Sequence, residues 1–384
     1  MTIKIQKDNT YSKNQVKKAG IKLIDNMDDQ EALNALSYWR NKHEVPLQTC
    51  FELIEKYSKE IDKNALVAKR LKRTPSIISK LRRFNDKGMK LITMQDIGGC
   101  RVVLSNTKKV DKLVRILLKN EFFVLRNNYI KKPKEDGYRS VHLVGKFKDK
   151  ESTQYPIELQ VRTKVQHSWA TAIEIVDLFT NQSIKTNAGD KNWAEFFKHV
   201  SSHFEILETN PHINTGKAMS ISQRFSQDIR KNRNDEFLFF RDRLWRLTKK
   251  LDVLKKFDLF RRSLHETTQY LEDHSTTGFV LIIIKSVGTD TFEMQSEFYK
   301  ENQFAEASAK YLETEKISLI NDYYVSALVS TNAIGGIKEA YPNYFADSTS
   351  FLQLLAIIDY AYKIENPGYS RAWQYLKYKF LNDL

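Results

Sequence analysis

The sequence predicts an α+β protein: a mixed sheet with flanking helices, then a charged helical connector and a small C-terminal α/β domain. Strand-like and helix-like apolar patterns alternate over residues 91–177, which is typical of a mixed sheet. Over residues 220–272 the pattern is helical and strongly charged, and short strand patterns return after it. The expected domains are therefore residues 1–215, 216–275 and 276–384.

Composition limits the partners and the compartment. The chain has 384 residues, 41% of them hydrophobic, and a formal net charge of +15. A strongly basic protein attracts polyanions, so nucleotides and RNA are more natural partners than basic proteins. The cysteines, Cys50 and Cys100, are too few for a disulfide framework or a zinc site. No apolar stretch is long enough to cross a bilayer, and we expect a cytoplasmic protein with no membrane partner.

Two helices are expected ahead of the sheet. Apolar residues recur at helical spacing between residues 29 and 57, with a break at Pro46. The two apolar stripes are Leu33, Leu36 and Trp39, then Leu47, Phe51 and Ile54.

The sheet and the C-terminal domain follow from shorter patterns. Strands of the first sheet are predicted at residues 101–104, 122–125, 138–147 and 156–162, with helices through 110–117 and 165–177. Strands of the C-terminal domain are predicted at residues 279–284, 292–298 and 323–329, with a helix at 305–315.

A basic cluster at residues 69–80 leads into a helix. Thr74 is a suitable N-cap, Pro75 suits the first helical position, and Ser76 and Lys80 share a face. A helix N-terminus surrounded by cations is an anion site. The alternative is a solvated basic helix face.

A second cluster, residues 94–103, places Asp96 just before two glycines and a strand. A carboxylate in this position can meet a metal, while the glycines allow close approach of a ligand. The alternative is an aspartate that caps a turn before a buried strand.

A third cluster lies on two strands. Period-2 alternation puts Glu158, Gln160 and Arg162 on one face, and Tyr138, Ser140 and His142 together on the other strand. Two strands can thus present these groups to one cleft. A salt-bridge ladder on a solvated face is the alternative. Downstream, His167 and Trp169 belong with an apolar helical stripe and are expected to pack a core.

Together the clusters resemble the RelA/SpoT alarmone synthetase family. The shared pattern is Arg-x-Lys-x-x-x-Ser-x-x-x-Lys, Asp-x-x-x-x-Arg, Pro-Lys-x-x-Gly-Tyr-x-Ser-x-His and Glu-x-Gln-x-Arg-Thr, in that order. The resemblance covers about residues 40–180 and implies a nucleotidyltransferase-like fold, ATP as diphosphate donor and Mg²⁺ as cofactor. No hydrolase domain is expected, because no adjacent His-Asp pair precedes these clusters.

The resemblance also implies roles for individual residues. The adenine of ATP is assigned to Arg70 and Arg101, and the phosphates of ATP to Lys72, Ser76 and Lys80. Asp96 and Glu158 correspond to the catalytic acidic pair and metal ligands, with Glu158 either a second ligand or the base for the attacking hydroxyl. Tyr138 corresponds to the stacking platform for the acceptor base, and the acceptor-side polar set is Lys134, His142, Gln160 and Arg162.

The implied function is transfer of diphosphate from ATP to the ribose 3′-hydroxyl of GDP or GTP, giving (p)ppGpp, with a regulatory C-terminal domain. A second copy of the chain is a further expected partner, since small synthetases often oligomerise. One rival is a toxin-like relative that acts on adenine nucleotides or the tRNA 3′ end, which the charge of +15 favours. The other is a nonenzymatic nucleotide or RNA sensor, against which Asp96 and Glu158 argue.

Overall fold

The computed structural model describes residues 10–180, 191–208, 235–254, 256–258, 278–286, 292–320, 324–331 and 344–365. Contacts divide the chain into two compact units. The first contains residues 1–132 and 140–163, and the second contains residues 133–139 and 164–384. The predicted boundaries at residues 215 and 275 lie outside the described residues.

Among its described residues, the first unit combines five α-helices with five strands. Its helices are α1 (Lys13–Asp25), α2 (Gln30–Asn41), α3 (Glu44–Ile61), α4 (Thr74–Arg83) and α5 (Thr107–Lys119). Its strands are β1 (Leu66–Leu71), β2 (Gly98–Leu104), β3 (Val124–Asn128), β4 (Val141–Lys148) and β5 (Gln154–Thr163).

These strands form one mixed sheet in the order β1-β2-β5-β4-β3. β2 and β5 run parallel, and the other neighbours are antiparallel. Apolar residues that alternate along β2, β4 and β5 pack against α3 and α5 on one face of the sheet. A separate cluster joins α1 and α2 to α4 through Leu23, Leu36 and Ile77. The predicted mixed sheet with flanking helices is confirmed.

Several predicted bounds are corrected. The break between the two N-terminal helices lies at Lys42 and His43, and Pro46 stands inside the first turn of α3, where its missing N–H costs no helical bond. β4 begins at Val141, so Tyr138 and Ser140 precede the strand. Helix α1 lies outside all predicted elements.

The second unit is mainly helical around a small sheet. Its described elements are α6 (Lys164–Thr180), α7 (Lys191–Glu208), α8 (Asp235–Lys250), β6 (Gly278–Ser286), β7 (Phe292–Lys300), α9 (Phe304–Ile320), β8 (Tyr324–Ser330) and α10 (Tyr344–Glu365). The strands form an antiparallel sheet in the order β7-β6-β8. One apolar cluster joins α6, α7, α8 and α10 to this sheet. The expected small C-terminal sheet is present, and of the expected connector the structure describes α8. Across the described residues, no helix is both long enough and apolar enough to traverse a bilayer.

Asp62, the residue that ends α3, ties three parts of the first unit together. It is 3% exposed. Its carboxylate accepts the backbone N–H of Ser105 at 2.8 Å and pairs with Lys109 at 3.1 Å. Burial raises the pKa of Asp62, but the hydrogen bonds from Ser105 and Lys109 outweigh burial and hold the pKa at about 2. The ionised form is therefore the one that the fold stabilises.

We expect Asp62→Ala to lower the free energy of unfolding by about 3 kcal/mol at neutral pH, because Lys109 and the Ser105 amide lose a buried partner. The folded-state pKa of Asp62 is depressed, so its contribution is complete above its ordinary pKa of 3.8 and is lost as the pH falls toward 2. Urea unfolding at pH 7 and at about pH 3 measures both effects. Asp111→Ala, at an exposed position on α5, is the control and should stay within about 0.5 kcal/mol of wild type. An equal loss in the two variants would contradict the assignment.

Candidate active site

One face of the sheet in the first unit gathers the polar side chains that the sequence places there. Arg101 of β2, Gln160 of β5 and His142 of β4 stand directly opposite one another. Residues in this relation share a face, and Glu158, two positions from Gln160, lies on that face too. The intervening residues, such as Leu159, are buried in the core on the other face. The predicted polar face of β5 is confirmed.

Two glycines begin β2, one on the polar face of the sheet and one on the core face. A Cβ at Gly98 would lie 2.6 Å from Cδ1 of Ile157, so a larger residue there would push the end of this core side chain aside. Gly99 stands between Arg70 and Glu158 across the strands. The nearest atom to a Cβ at Gly99 would be 3.9 Å away. A Cβ at Gly99 would therefore make only ordinary van der Waals contacts, and without one the backbone between Arg70 and Glu158 can be approached more closely.

Asp96, two residues before β2, is paired with two lysines. Its Oδ2 lies 3.0 Å from Nζ of Lys72 and 2.7 Å from Nζ of Lys80. The side chain is 14% exposed. Burial raises the pKa of Asp96, but the charges of Lys72 and Lys80 outweigh burial and lower it below its ordinary value. Asp96 is thus ionised at neutral pH, in contact with two cations.

Helix α4 places one of these lysines. The helix begins at Thr74, and Arg73 occupies the N-cap, so the predicted N-cap at Thr74 is one residue too late. Pro75 fixes a helical φ in the first turn, where no intrahelical N–H bond is lost. Ser76 in the first turn and Lys80 one turn later share a face, as the sequence predicts.

The basic segment ahead of α4 begins in a strand. Arg70 belongs to β1, and the backbone N–H of Lys72 donates to Ile97 O at 2.7 Å just beyond the strand. Arg40 of α2 donates from Nε to Lys72 O at 2.9 Å. The backbone that carries Lys72 is therefore held from two sides.

Glu158 in the middle of β5 has a hydrogen-bond partner on each oxygen. Oε1 lies 3.0 Å from Nδ1 of His142, and Oε2 accepts Nε2 of Gln160 at 3.0 Å. Burial raises the pKa of Glu158, but the hydrogen bond and charge of His142 outweigh burial and lower it. The ring of Tyr129 meets the His142 ring edge-on at 5.2 Å between centroids. The sequence prediction missed Tyr129, although an aromatic residue just before the third cluster is visible in the sequence.

Asp96 and Glu158 offer carboxylates of the kind that bind Mg²⁺ when phosphate oxygens supply its other ligands. Asp96 and Glu158 are close enough for the charge of Asp96 to act on the pKa of Glu158. Asp96 Oδ1 is buried and accepts no hydrogen bond within the described part of the chain. No group of three or more His, Cys, Asp or Glu side chains suited to a metal occurs among the described residues. Mg²⁺ commonly takes one or two carboxylates together with substrate phosphates, and this pair offers that number.

The remaining predicted acceptor residues are placed differently. Lys134 and Tyr138 belong to the second unit, in the loop before β4. Nζ of Lys134 lies 4.8 Å from the centroid of the Tyr138 ring. Arg162 is on the polar side of β5 but only 1% exposed. Trp169 packs in the core of the second unit, which confirms the expectation for its stripe.

Comparison with known proteins identifies the stretch that carries these residues. A family model described as a region found in RelA / SpoT proteins matches residues 69–176. The GTP pyrophosphokinase YjbM of Bacillus subtilis (strain 168) is 31% identical over 118 residues, which cover 27% of this chain and 52% of that protein. The chain therefore spans about half the length of this curated relative.

Solved structures give further matches. Small alarmone synthetase 1 from Bacillus subtilis, bound to its product pppGpp, is 23% identical with a TM-score of 0.37, covering 44% of this chain and 93% of that one. A GTP pyrophosphokinase family protein from Streptococcus pneumoniae is 22% identical with a TM-score of 0.36, covering 44% and 90%.

The family match and the geometry agree on the same residues. Every residue that the sequence predicts for the site lies inside the matched stretch, including the Asp96 pair with its lysines and the Glu158 pair with its histidine. Residues 69–176 of the chain match the region found in RelA / SpoT proteins.

Proposed function

We propose that the chain is a nucleotide pyrophosphokinase that transfers diphosphate from ATP to the ribose 3′-hydroxyl of GDP or GTP. The observation that supports this most is the contact of Lys72 and Lys80 with Asp96, whose charge also acts on Glu158. Transfer of a phosphoryl-type group needs positioning and charge neutralisation more than covalent catalysis. A carboxylate pair beside two cations provides both.

On the donor side, Lys72 and Lys80 release Asp96 when ATP binds and pair with the phosphates of ATP instead. Ser76, in the first turn of α4, adds a hydroxyl at the positive end of the helix. Arg70 and Arg101 bind the adenine. Mg²⁺ would be held by Asp96, with Glu158 either as a second ligand or as the base described below, and would supply positive charge to the diphosphate.

In the reaction the 3′-oxygen of the acceptor attacks the β-phosphorus of ATP. The bond from that phosphorus to the oxygen bridging the α-phosphate breaks, and AMP leaves with the bridging oxygen. Glu158 is ionised at neutral pH and accepts the hydroxyl proton as the new bond forms. His142 and Gln160 hold the Glu158 carboxylate in place.

On the acceptor side, Tyr138 stacks on the base. Lys134, whose ammonium lies over the Tyr138 ring, binds acceptor phosphate. His142 and Gln160 complete the polar set for the ribose and phosphates. Arg162, the remaining residue predicted for this set, is 1% exposed and offers almost no surface to a ligand in this structure.

The experiment that tests this function gives the purified chain ATP labelled on its γ-phosphate, with Mg²⁺ and one acceptor at a time. GDP, GTP, ADP and bulk tRNA are tried separately. We expect the label on GDP or GTP, with one AMP released for each transfer. Label on ADP or tRNA alone would support the toxin-like rival. A chain that transfers label to none of the four would contradict the proposal.

We expect Tyr138→Ala to raise the KM for the acceptor by about 10- to 100-fold and to leave the KM for ATP nearly unchanged, because stacking of a base on an aromatic ring is worth about 1–3 kcal/mol. Initial rates with each substrate varied in turn measure the two constants. Tyr138→Phe keeps the ring and is the control, expected close to wild type. An equal rise in both constants would show that Tyr138 serves the fold and not the acceptor.

A further inference from the structure

Helix α7 lies beyond the RelA/SpoT stretch in sequence, yet it contacts the loop that carries Tyr138. We call residues Pro133–Arg139 the acceptor loop, and this loop belongs to the same unit as α7. The matched stretch ends at residue 176, and α7 covers Lys191–Glu208. None of the motifs quoted in the sequence analysis lies in α7.

The backbone of the acceptor loop approaches α7 closely at Gly137. The φ of Gly137 is +91°, a value that side chains rarely allow. A Cβ at Gly137 would lie 2.9 Å from Cβ of Ser201 and 3.2 Å from Cα of Lys198. Glycine is thus required both by the turn and by the neighbouring helix.

One hydroxyl of α7 binds the loop on both sides of Tyr138. Ser201 Oγ donates to Gly137 O at 2.5 Å and accepts Nε of Arg139 at 3.2 Å. Nη2 of Arg139 also pairs with Glu205 at 2.6 Å. The Arg139 side chain is only 9% exposed, and a buried guanidinium requires such partners. Gly137 and Arg139 flank Tyr138, so the residue between them is fixed by α7.

The aromatic neighbour of Tyr138 is held by the same helix. The rings of Tyr138 and Trp169 are 6.4 Å apart between centroids. Trp169 donates from Nε1 to Phe197 O of α7 at 2.8 Å. The loop also has its own order, because the backbone N–H of Tyr138 donates to Asp136 Oδ1 at 2.8 Å. Helix α7 and the turn together define where the Tyr138 ring lies.

We propose that Ser201 and Glu205 of α7 are positioning residues that preorganise the acceptor loop, so that the base of the acceptor nucleotide meets a Tyr138 already in place. This inference rests on the proposed function, in which Tyr138 stacks on that base. A loop ordered before binding spares the acceptor the entropy cost of ordering it. The donor residues Lys72 and Lys80 lie outside both the acceptor loop and α7. The affinity for ATP should therefore not depend on the contacts of Ser201 and Glu205 with the loop.

The test compares two variants with two controls on the same helix. Ser201→Ala removes the hydroxyl shared by Gly137 and Arg139, and Glu205→Gln removes the charge that pairs with Arg139. Ser202→Ala removes a hydroxyl that donates only to Lys198 O of its own helix. Glu195→Gln breaks a different ion pair of α7, with Arg243 of α8, at 2.7 Å. Each control matches its variant in chemistry and leaves the acceptor loop untouched.

Two measurements are made on the full chain. Hydrogen–deuterium exchange follows the peptide that contains residues 133–139, and initial rates give KM for GTP, KM for ATP and kcat. In Ser201→Ala and Glu205→Gln we expect faster exchange in this peptide and a rise of about tenfold in KM for GTP, with KM for ATP within about twofold of wild type. Both controls should resemble wild type in all four quantities.

The remaining outcomes either contradict the role proposed for α7 or contradict the proposed function while leaving the role of α7 to be decided. Unchanged exchange in residues 133–139 would show that α7 does not hold the loop. Faster exchange with an unchanged KM for GTP, or with an equal rise in KM for ATP, would show that the contacts of Ser201 and Glu205 stabilise the fold but do not position Tyr138 for the acceptor. A wild-type chain without any transfer would contradict the proposed function, and the exchange data would then still decide whether α7 holds the loop.

Discussion

Asp96→Asn should reduce kcat for diphosphate transfer by on the order of 10³-fold or more and remove its dependence on Mg²⁺. Asparagine keeps the size of the side chain, but it removes the charge that a metal requires. Lys72 and Lys80, each within 3.0 Å of Asp96, lose their counter-charge in this variant. Both lysines are then released for the phosphates, so the KM for ATP should stay level or fall while kcat falls.

The measurement is the transfer rate over a range of Mg²⁺ concentrations, with ATP varied at each. Asp86→Asn, which removes an exposed carboxylate in the turn after α4, is the control and should behave as wild type. Turnover within tenfold of wild type in Asp96→Asn would remove Asp96 from the catalytic pair. A rise in the KM for ATP would instead show that Lys72 and Lys80 depend on Asp96 for their positions.

Glu158→Gln is expected to lower kcat by about 10³-fold, because the attacking hydroxyl loses its proton acceptor and the metal loses a charged ligand. The glutamine can still accept one hydrogen bond from His142 or Gln160, so the sheet should remain intact. Circular dichroism and thermal unfolding verify that the variant is folded before its kinetics are interpreted.

The pH dependence of kcat tests whether Glu158 is ionised at neutral pH, as its role as a base requires. The pKa of Glu158 in the fold lies below its ordinary value of 4.5, chiefly because His142 outweighs the effect of burial. Protonation of Glu158 therefore lowers kcat only as the pH falls below about 4.5, and Glu158 adds no inflection between about pH 6 and pH 8. An acidic limb near pH 6 that disappears in Glu158→Gln would contradict this ionisation state. Glu151→Gln, an exposed carboxylate on the loop before β5, is the matched control.

Much of the sheet could be predicted because its alternation is strong. β5 alternates buried Ile157 and Leu159 with the partly exposed Glu158 and Gln160, and this pattern fixes both the strand and the face of the acidic residue. The contact between Asp96 and Lys80 was beyond prediction, because sequence spacing does not tell which charges meet across a fold.

The misses have physical causes as well. Tyr138 and Ser140 alternate with His142 as a strand would, but they follow the turn at the left-handed Gly137, and the pairing of β4 begins only at Val141. Helix α1 gives a weak apolar signal because Ala19 and Gly20 lie on its buried stripe, and a Cβ at Gly20 would come within 2.8 Å of Leu91 Cβ.

Helix α7 was missed although its apolar residues have a clear helical period. They are Trp193, Phe196, Phe197, Val200, Phe204 and Leu207. Helix α7 follows the last of the three clusters and contains none of their motifs. Its contacts with the acceptor loop join residues more than 60 positions apart, which no local pattern encodes.

The path of the chain between the two units sets the smallest fragment that can keep a native acceptor loop. The chain enters the second unit at Pro133, returns to the first at Ser140 and crosses again at Lys164. A fragment cut at the end of the matched stretch, residue 176, would retain Tyr138 but lose the hydroxyl and carboxylate that fix its neighbours. The family stretch is thus shorter than the unit on which its own loop depends. A fragment that keeps these contacts must therefore continue at least through Glu205, and all of α7 is included only if it continues to Glu208.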